Sequence, residues 1–190
     1  MYSFSKLNSY KRHYLNFLLA LFPFSFIAGN LIININLILI VISSIILFPK
    51  DFFKIKFFFV DKLILTYFFL ILISGLVNDY ILLHESFWKG GFATYTKSIF
   101  FFRYLFFYIV LRFLVEKEII NLKIFFIFCS VAVLFVSLDI FFQYFNEKDI
   151  FGLVTPQGYR KLSGPFGDEL IAGGFIQRFS LFSFFLIPLF

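Results

Sequence analysis

Residues 124–145 read IFFIFCSVAVLFVSLDIFFQYF, an apolar run in which only Asp139 and Gln143 are strongly polar. A helix rises 1.5 Å per residue, so a run of about 20 such residues crosses the hydrocarbon of a bilayer. The stretch therefore reads as a membrane span. The rest of the chain agrees: 61% of its 190 residues are hydrophobic, 25% are aromatic, only 15% are charged, and the mean hydropathy is +0.94. Those values lie outside the range of soluble domains. Thirty-six phenylalanines exceed what the core of a soluble domain this small could bury, and lipid must cover the remainder.

Working outward, the same reading gives an all-α, polytopic membrane bundle of about six helices forming one transmembrane domain over residues 1–190. The expected spans are 14–28, 31–48, 63–77, 98–115, 124–145 and 170–190, with a long loop at 146–169. The first run follows Lys6, Lys11 and Arg12 like a signal peptide, but Phe26-Ile27-Ala28 offers no small-x-small cleavage site. Two helices joined at Gly29-Asn30 fit better, with Pro23 kinking the first and Pro49 marking the exit of the second. The basic, Phe-rich stretch from Lys50 to Lys62 suits an interfacial loop, and Trp88 a headgroup-level anchor. The last segment, Leu181 to Phe190, is apolar to its final residue, so the chain is expected to be incomplete at its C-terminus.

The formal charge of +6 would suggest nucleic acid in a soluble protein, but in a membrane protein it reports topology. With the N-terminus in the cytoplasm, nine Lys and Arg lie inside: Lys6, Lys11, Arg12, Lys50, Lys54, Lys56, Lys62, Lys117 and Lys123. Five lie outside: Lys89, Lys97, Lys148, Arg160 and Lys161. That bias places the 146–169 loop on the outer, periplasmic face. The one cysteine, Cys129, allows no intrachain disulfide, and His13 and His84 lie in no metal-ligand spacing.

Polar groups inside spans are costly and by default mark a site. They are Arg103 in the fourth span, Asp139 and Gln143 in the fifth, and Arg178 in the sixth. At 1.5 Å per residue, Arg103 and Asp139 lie roughly 8 and 9 Å below the outer boundary, a depth at which they could pair. Asp139 and Gln143, four apart, share a helix face. A structural ion pair that only orients helices competes with the functional reading. Arg112, near the inner end of its span, suits snorkelling.

Six of the ten glycines fall between Gly152 and Gly174. Within that stretch, Tyr159-Arg160-Lys161-Leu162-Ser163-Gly164-Pro165-Phe166-Gly167-Asp168-Glu169-Leu170 sets two basic residues before a Gly-Pro turn and a helix start. Backbone amides at such a start, beside Arg160 and Lys161, could hold a phosphate. Asp168 and Glu169 would repel one placed directly there. Asp168 suits either a helix N-cap or a partner for a sugar hydroxyl or an arginine. HExxH, GxSxG, Walker A and GxGxxG are all absent. Basic residues gathered on one side instead suit electrostatic handling of a phosphorylated lipid.

The stretch from Ser137 to Phe145, then Lys148-Asp149-Ile150-Phe151-Gly152 and Arg160 to Phe175, resembles the N-terminal half of bacterial O-antigen polymerases and O-antigen ligases. The close resemblance covers about a fifth of the chain, with the preceding spans agreeing only in general layout. Where many members carry Pro-Asn after the Gly-x-Phe-Gly turn, this chain has Asp168-Glu169. The resemblance implies an all-helical inner-membrane glycosyltransferase that takes glycans from an undecaprenyl pyrophosphate carrier at the periplasmic face. The acceptor is a second lipid-linked repeat (polymerase) or lipid A core (ligase). No metal, nucleotide cofactor or nucleic acid is implied, and a half-length piece is expected to be inactive alone.

On that reading Arg160 and Arg178 contact the donor pyrophosphate, Arg103 lines the lipid-linked substrate cavity, and Asp139 orients an arginine. Gln143, Gly164 and Asp168 complete the expected substrate-binding set. A transporter or flippase, using the same charges as a pathway, is the competing reading from another class. A noncatalytic membrane subunit is a third.

Overall fold

In a computed structural model the described residues are 2–52, 55–85, 93–154 and 162–187. They form eight α-helices: α1 (Tyr2–Ala20), α2 (Phe22–Ile27), α3 (Asn30–Leu47), α4 (Pro49–Phe52), α5 (Phe59–Glu85), α6 (Ala93–Glu116), α7 (Leu122–Asn146) and α8 (Ala172–Phe184). A 3-10 turn spans Gly164–Phe166, and no strand occurs among the described residues beyond an isolated bridge between Lys148 and Val154. Four helices are long and apolar enough to cross a membrane, over Asn30–Leu47, Phe59–Tyr80, Thr94–Glu116 and Leu122–Asn146. The chain divides into two compact units, residues 1–40 with 118–190 and residues 41–117.

In the first unit, the expected span at 14–28 is interrupted at Leu21, two residues before Pro23. Pro23 supplies no N–H to continue the helix and sits in the first turn of α2. The Leu18 carbonyl at this break accepts a hydrogen bond from Asn36 Nδ2 (3.2 Å), which also donates to Ser25 Oγ (2.9 Å). Gly29, at φ +107°, makes the reversal into α3 in a conformation that L side chains rarely adopt. Arg12 donates to the Glu118 carbonyl and Asn16 Nδ2 to that of Ile119, while the Asn121 N–H donates back to Asn16 Oδ1 (2.5 Å). These contacts fasten α1 to the turn entering α7, whose N-cap Asn121 accepts from the Lys123 N–H.

The buried residues of α7 are Cys129, Ala132, Val136, Asp139 and Gln143, at steps of three, four, three and four. Such spacing puts them on one face of the helix. Its lower half is small and apolar, and receives Phe175 and Phe179 of α8, which follow Ala172 at the same spacing. Close approach of a small-residue face is how helices pack without a hydrophobic driving force in lipid. The other side of α7 exposes Val131, Leu134, Leu138, Phe141 and Phe145, a face suited to acyl chains. α8 begins at Ala172, two residues later than expected, and ends at Phe184.

In the second unit α5 and α6 run antiparallel, matched from end to end. The Thr94 and Tyr95 N–H groups donate to the two oxygens of Asp79 (3.3 and 2.7 Å), so a buried carboxylate on α5 caps the start of α6. α5 continues past this tie to Glu85 instead of stopping near Val77. Gly75 packs directly against Ser98, where any side chain would meet the hydroxyl. Phe68 then stacks on Phe101 and meets Phe102 edge-on, at ring separations of 5.3 and 5.8 Å.

At the other end Asp61 accepts from the Phe58 N–H (2.6 Å), from the Tyr108 hydroxyl (2.8 Å) and from Arg112. Arg112 also donates to the Lys56 carbonyl (2.6 Å) and lies over the Phe58 ring. The expectation that Arg112 snorkels is therefore corrected: a buried carboxylate on the neighbouring helix holds it. Trp88, read as a headgroup anchor, lies outside the described residues.

Candidate functional site

The upper half of the α7 stripe turns polar where the chain must reverse. Glu147, in the left-handed region at φ +63°, ends the helix, and its N–H donates to the Gln143 carbonyl. Residues 148–154 then fold back on themselves. The Asp149 N–H donates to the Leu153 carbonyl (3.0 Å), the Leu153 N–H to Asp149 Oδ1 (2.6 Å), and the Gly152 N–H to the Asp149 carbonyl (3.0 Å). Asp139 holds this reversal to the helix by accepting from the Ile150 N–H (2.8 Å).

Gln143 does the same for the second half of the loop. Its Oε1 accepts from the Gly164 N–H at 2.9 Å, fixing the 3-10 turn against α7. Gly164 has φ +57°, and a Cβ there would stand 3.0 Å from Ile140 Cγ1, so both conformation and space require glycine. Asp139, Gln143 and Gly164, three of the expected site residues, thus meet in one buried cluster. Its job in the fold is to position two turns. Ser163 and Asp149, wholly or almost wholly buried, belong to the same cluster. The sequence reading did not single them out, because each looks like an ordinary turn residue.

The turns so held frame a cavity of about 730 Å³. One side is the α2–α3 junction (Phe26 to Asn30, with Ile33), and the other is Leu153, the segment Pro165–Gly167, Glu169–Ile171 and the first two turns of α8. The walls are largely apolar, with Phe26, Phe166, Phe175 and Phe179 prominent and Gly29, Gly167 and Gly174 keeping parts of the wall low. Arg178 lines it, exposed and forming no hydrogen bond or ion pair among the described residues. Glu169 is the acidic residue of the lining. Near α8's start, the N–H groups of Ala172, Gly173 and Gly174 have no intrahelical acceptor, and open space lies beside both glycines. A guanidinium and free amides beside an apolar chamber suit a ligand with an anionic head and a hydrocarbon or otherwise apolar body.

The remaining expected residues fall differently. Asp168 is exposed and is not the N-cap of α8. That position is Ile171, which offers no side-chain acceptor, because Asp168 lies in the turn that follows the 3-10 segment. Asp139 forms no ion pair among the described residues; its partner is a backbone amide. Arg103 belongs to the second unit, where it donates to the Tyr104 hydroxyl (3.0 Å) with its Cζ 4.8 Å from that ring's centre. Arg160 and Lys161 lie outside the described residues. No group of three or more His, Cys, Asp and Glu converges as a metal site among the described residues. No family model, curated protein or solved structure matches this chain.

Proposed function

We propose that the protein is a membrane glycosyltransferase of the O-antigen polymerase or ligase kind, using an undecaprenyl-pyrophosphate-linked glycan as donor. In this reading the chain sits in a bacterial inner membrane with its N-terminus in the cytoplasm. The helix break at Leu21 and the short α8 belong to a first and a sixth membrane segment beside the four long helices. The cavity opens on the periplasmic face. The observation that carries the reading is the pairing of Arg178 with a largely apolar cavity of about 730 Å³. A guanidinium binds phosphate bidentately, and the phenylalanine walls suit the polyprenyl carbon next to it. Arg160, seven residues before Gly167, is the second proposed phosphate contact.

Transfer requires the bond from the anomeric carbon to pyrophosphate to break as an acceptor hydroxyl attacks that carbon. Negative charge then grows on the leaving pyrophosphate, and the Arg178 guanidinium stabilises it more in the transition state than in the ground state. Glu169 in the same lining would repel phosphate placed beside it, which directs the head group toward Arg178 and the amides of α8.

The expected result is one undecaprenyl pyrophosphate bound per full-length protein in native mass spectrometry, with undecaprenol binding far more weakly and Arg178→Ala losing the preference. Equal retention of the alcohol and the pyrophosphate by wild-type protein would overturn the proposal. The alternative reading, a flippase of lipid-linked sugars, is favoured by the buried charge of Asp139 near a helix end. It predicts the same lipid preference but movement of donor across the membrane without formation of a new glycosidic bond.

A further inference from the structure

Beneath the two turns that edge the cavity, Asp139 and Asp149 are 0% and 2% exposed. Each uses its Oδ1 to hold a backbone amide, of Ile150 and of Leu153 respectively. Each Oδ2 is buried and has no hydrogen-bond partner, and the Ile150 amide that Asp139 holds belongs to the residue next to Asp149. Ser163, fully buried, has an Oγ that is also without a partner. Its neighbour Gly164 is so close that a Cβ there would stand 3.7 Å from Asp139 Oδ2. Three buried oxygens without partners therefore lie at the junction of α7 with both turns, and two of them belong to carboxylates. No cationic side chain pairs with either carboxylate among the described residues. Two neighbouring carboxylates kept from water call for a positive partner or a proton.

We propose that Asp139, Asp149 and Ser163 form a site for a hard divalent cation of the calcium class. Two carboxylates balance a charge of +2. The donor set is all oxygen, without the nitrogen or sulfur that zinc or copper favours. Calcium also accepts irregular geometry and completes its shell with backbone carbonyls and water, as a site assembled from two turns and a helix end requires. Gln143 Nε2, also buried and unpartnered, is a donor and stands outside the ligand set. The cation would tie the 148–154 reversal and the Ser163–Gly167 turn to α7. Leu153, Pro165, Phe166 and Gly167 line the cavity, so its occupancy would brace one wall. The cation takes no part in group transfer, and the site stands whether or not the glycosyltransferase reading does.

The test uses full-length protein in phosphatidylcholine nanodiscs, stripped with a chelator, with thermal unfolding followed by circular dichroism as cations are returned. Calcium at about 1 mM should raise the unfolding midpoint by about 5 °C, and magnesium or sodium at equal concentration by less than half of that. Asp139→Asn and Asp149→Asn should abolish the calcium shift, Ser163→Ala should weaken it, and Glu169→Gln should leave it intact. Should the Asn variants fail to fold, equilibrium dialysis of wild-type protein with radioactive calcium decides: one ion per chain supports the site, and none overturns it. An equal shift with all three cations, a calcium shift that survives Asp149→Asn, or stabilisation by acid alone, which would mean a proton shared between the carboxylates, each overturns it.

Discussion

Replacing Arg178 by alanine is expected to lower glycan transfer by about a hundredfold or more, the usual consequence of removing one donor from developing negative charge. The protein itself should persist in the membrane at its normal level. Arg178 is exposed and has no protein partner among the described residues, so its removal leaves no buried group unpaired. Arg178→Lys should fall between the two, because an ammonium keeps the charge but cannot grip two phosphate oxygens in one plane. Polymer density on a lipopolysaccharide gel, set against the membrane level of each variant on an immunoblot, reads both effects. Wild-type polymer from Arg178→Ala would remove this residue from the donor site.

Asp61→Ala should be the most damaging change to stability, by about 3 kcal/mol. Asp61 is 3% exposed and accepts hydrogen bonds from the Phe58 N–H just before α5, from Tyr108 and from Arg112. Its loss leaves a half-buried phenol and a guanidinium without their acceptor. The figure sits at the low end for a broken buried pair because the Arg112 side chain is 16% exposed and can reach Glu116. Asp61→Asn should cost less, since the amide oxygen can still accept from the Phe58 N–H. Unfolding by detergent titration, followed by circular dichroism, measures the order. Wild-type stability in Asp61→Ala would mean that this cluster does not hold α5 to α6.

What could be read from the sequence was whatever repeats along one helix. The three-four spacing from Cys129 to Gln143 is visible in the letters, and so is the membrane character of 124–145. Partnerships between distant residues were not visible. Arg112 looked like a snorkelling side chain because its carboxylate lies 51 residues earlier, and Asp79 fell outside the expected 63–77 span because the amides it caps belong to the next helix. Asp168 matched an N-cap by residue type, but the chain spends three more residues in a turn before α8 begins at Ala172. Asp139 and Gln143 were legible as a polar pair on one face. That they hold backbone amides of two separate turns depends on loop geometry, which residue types alone do not specify. The cavity is likewise a product of the α2–α3 reversal at Gly29 meeting the α8 segment, a long-range closure with no local signature.

The most direct measurement is a lipopolysaccharide ladder from a strain deleted for the gene, beside the same strain complemented with wild-type protein. Glycan transfer by this protein predicts that the ladder is lost on deletion and restored by wild type, with single-repeat bands for a missing polymerase and bare core for a missing ligase. A ladder unchanged by deletion would contradict it, and accumulation of donor confined to the cytoplasmic leaflet would assign the protein to lipid translocation instead.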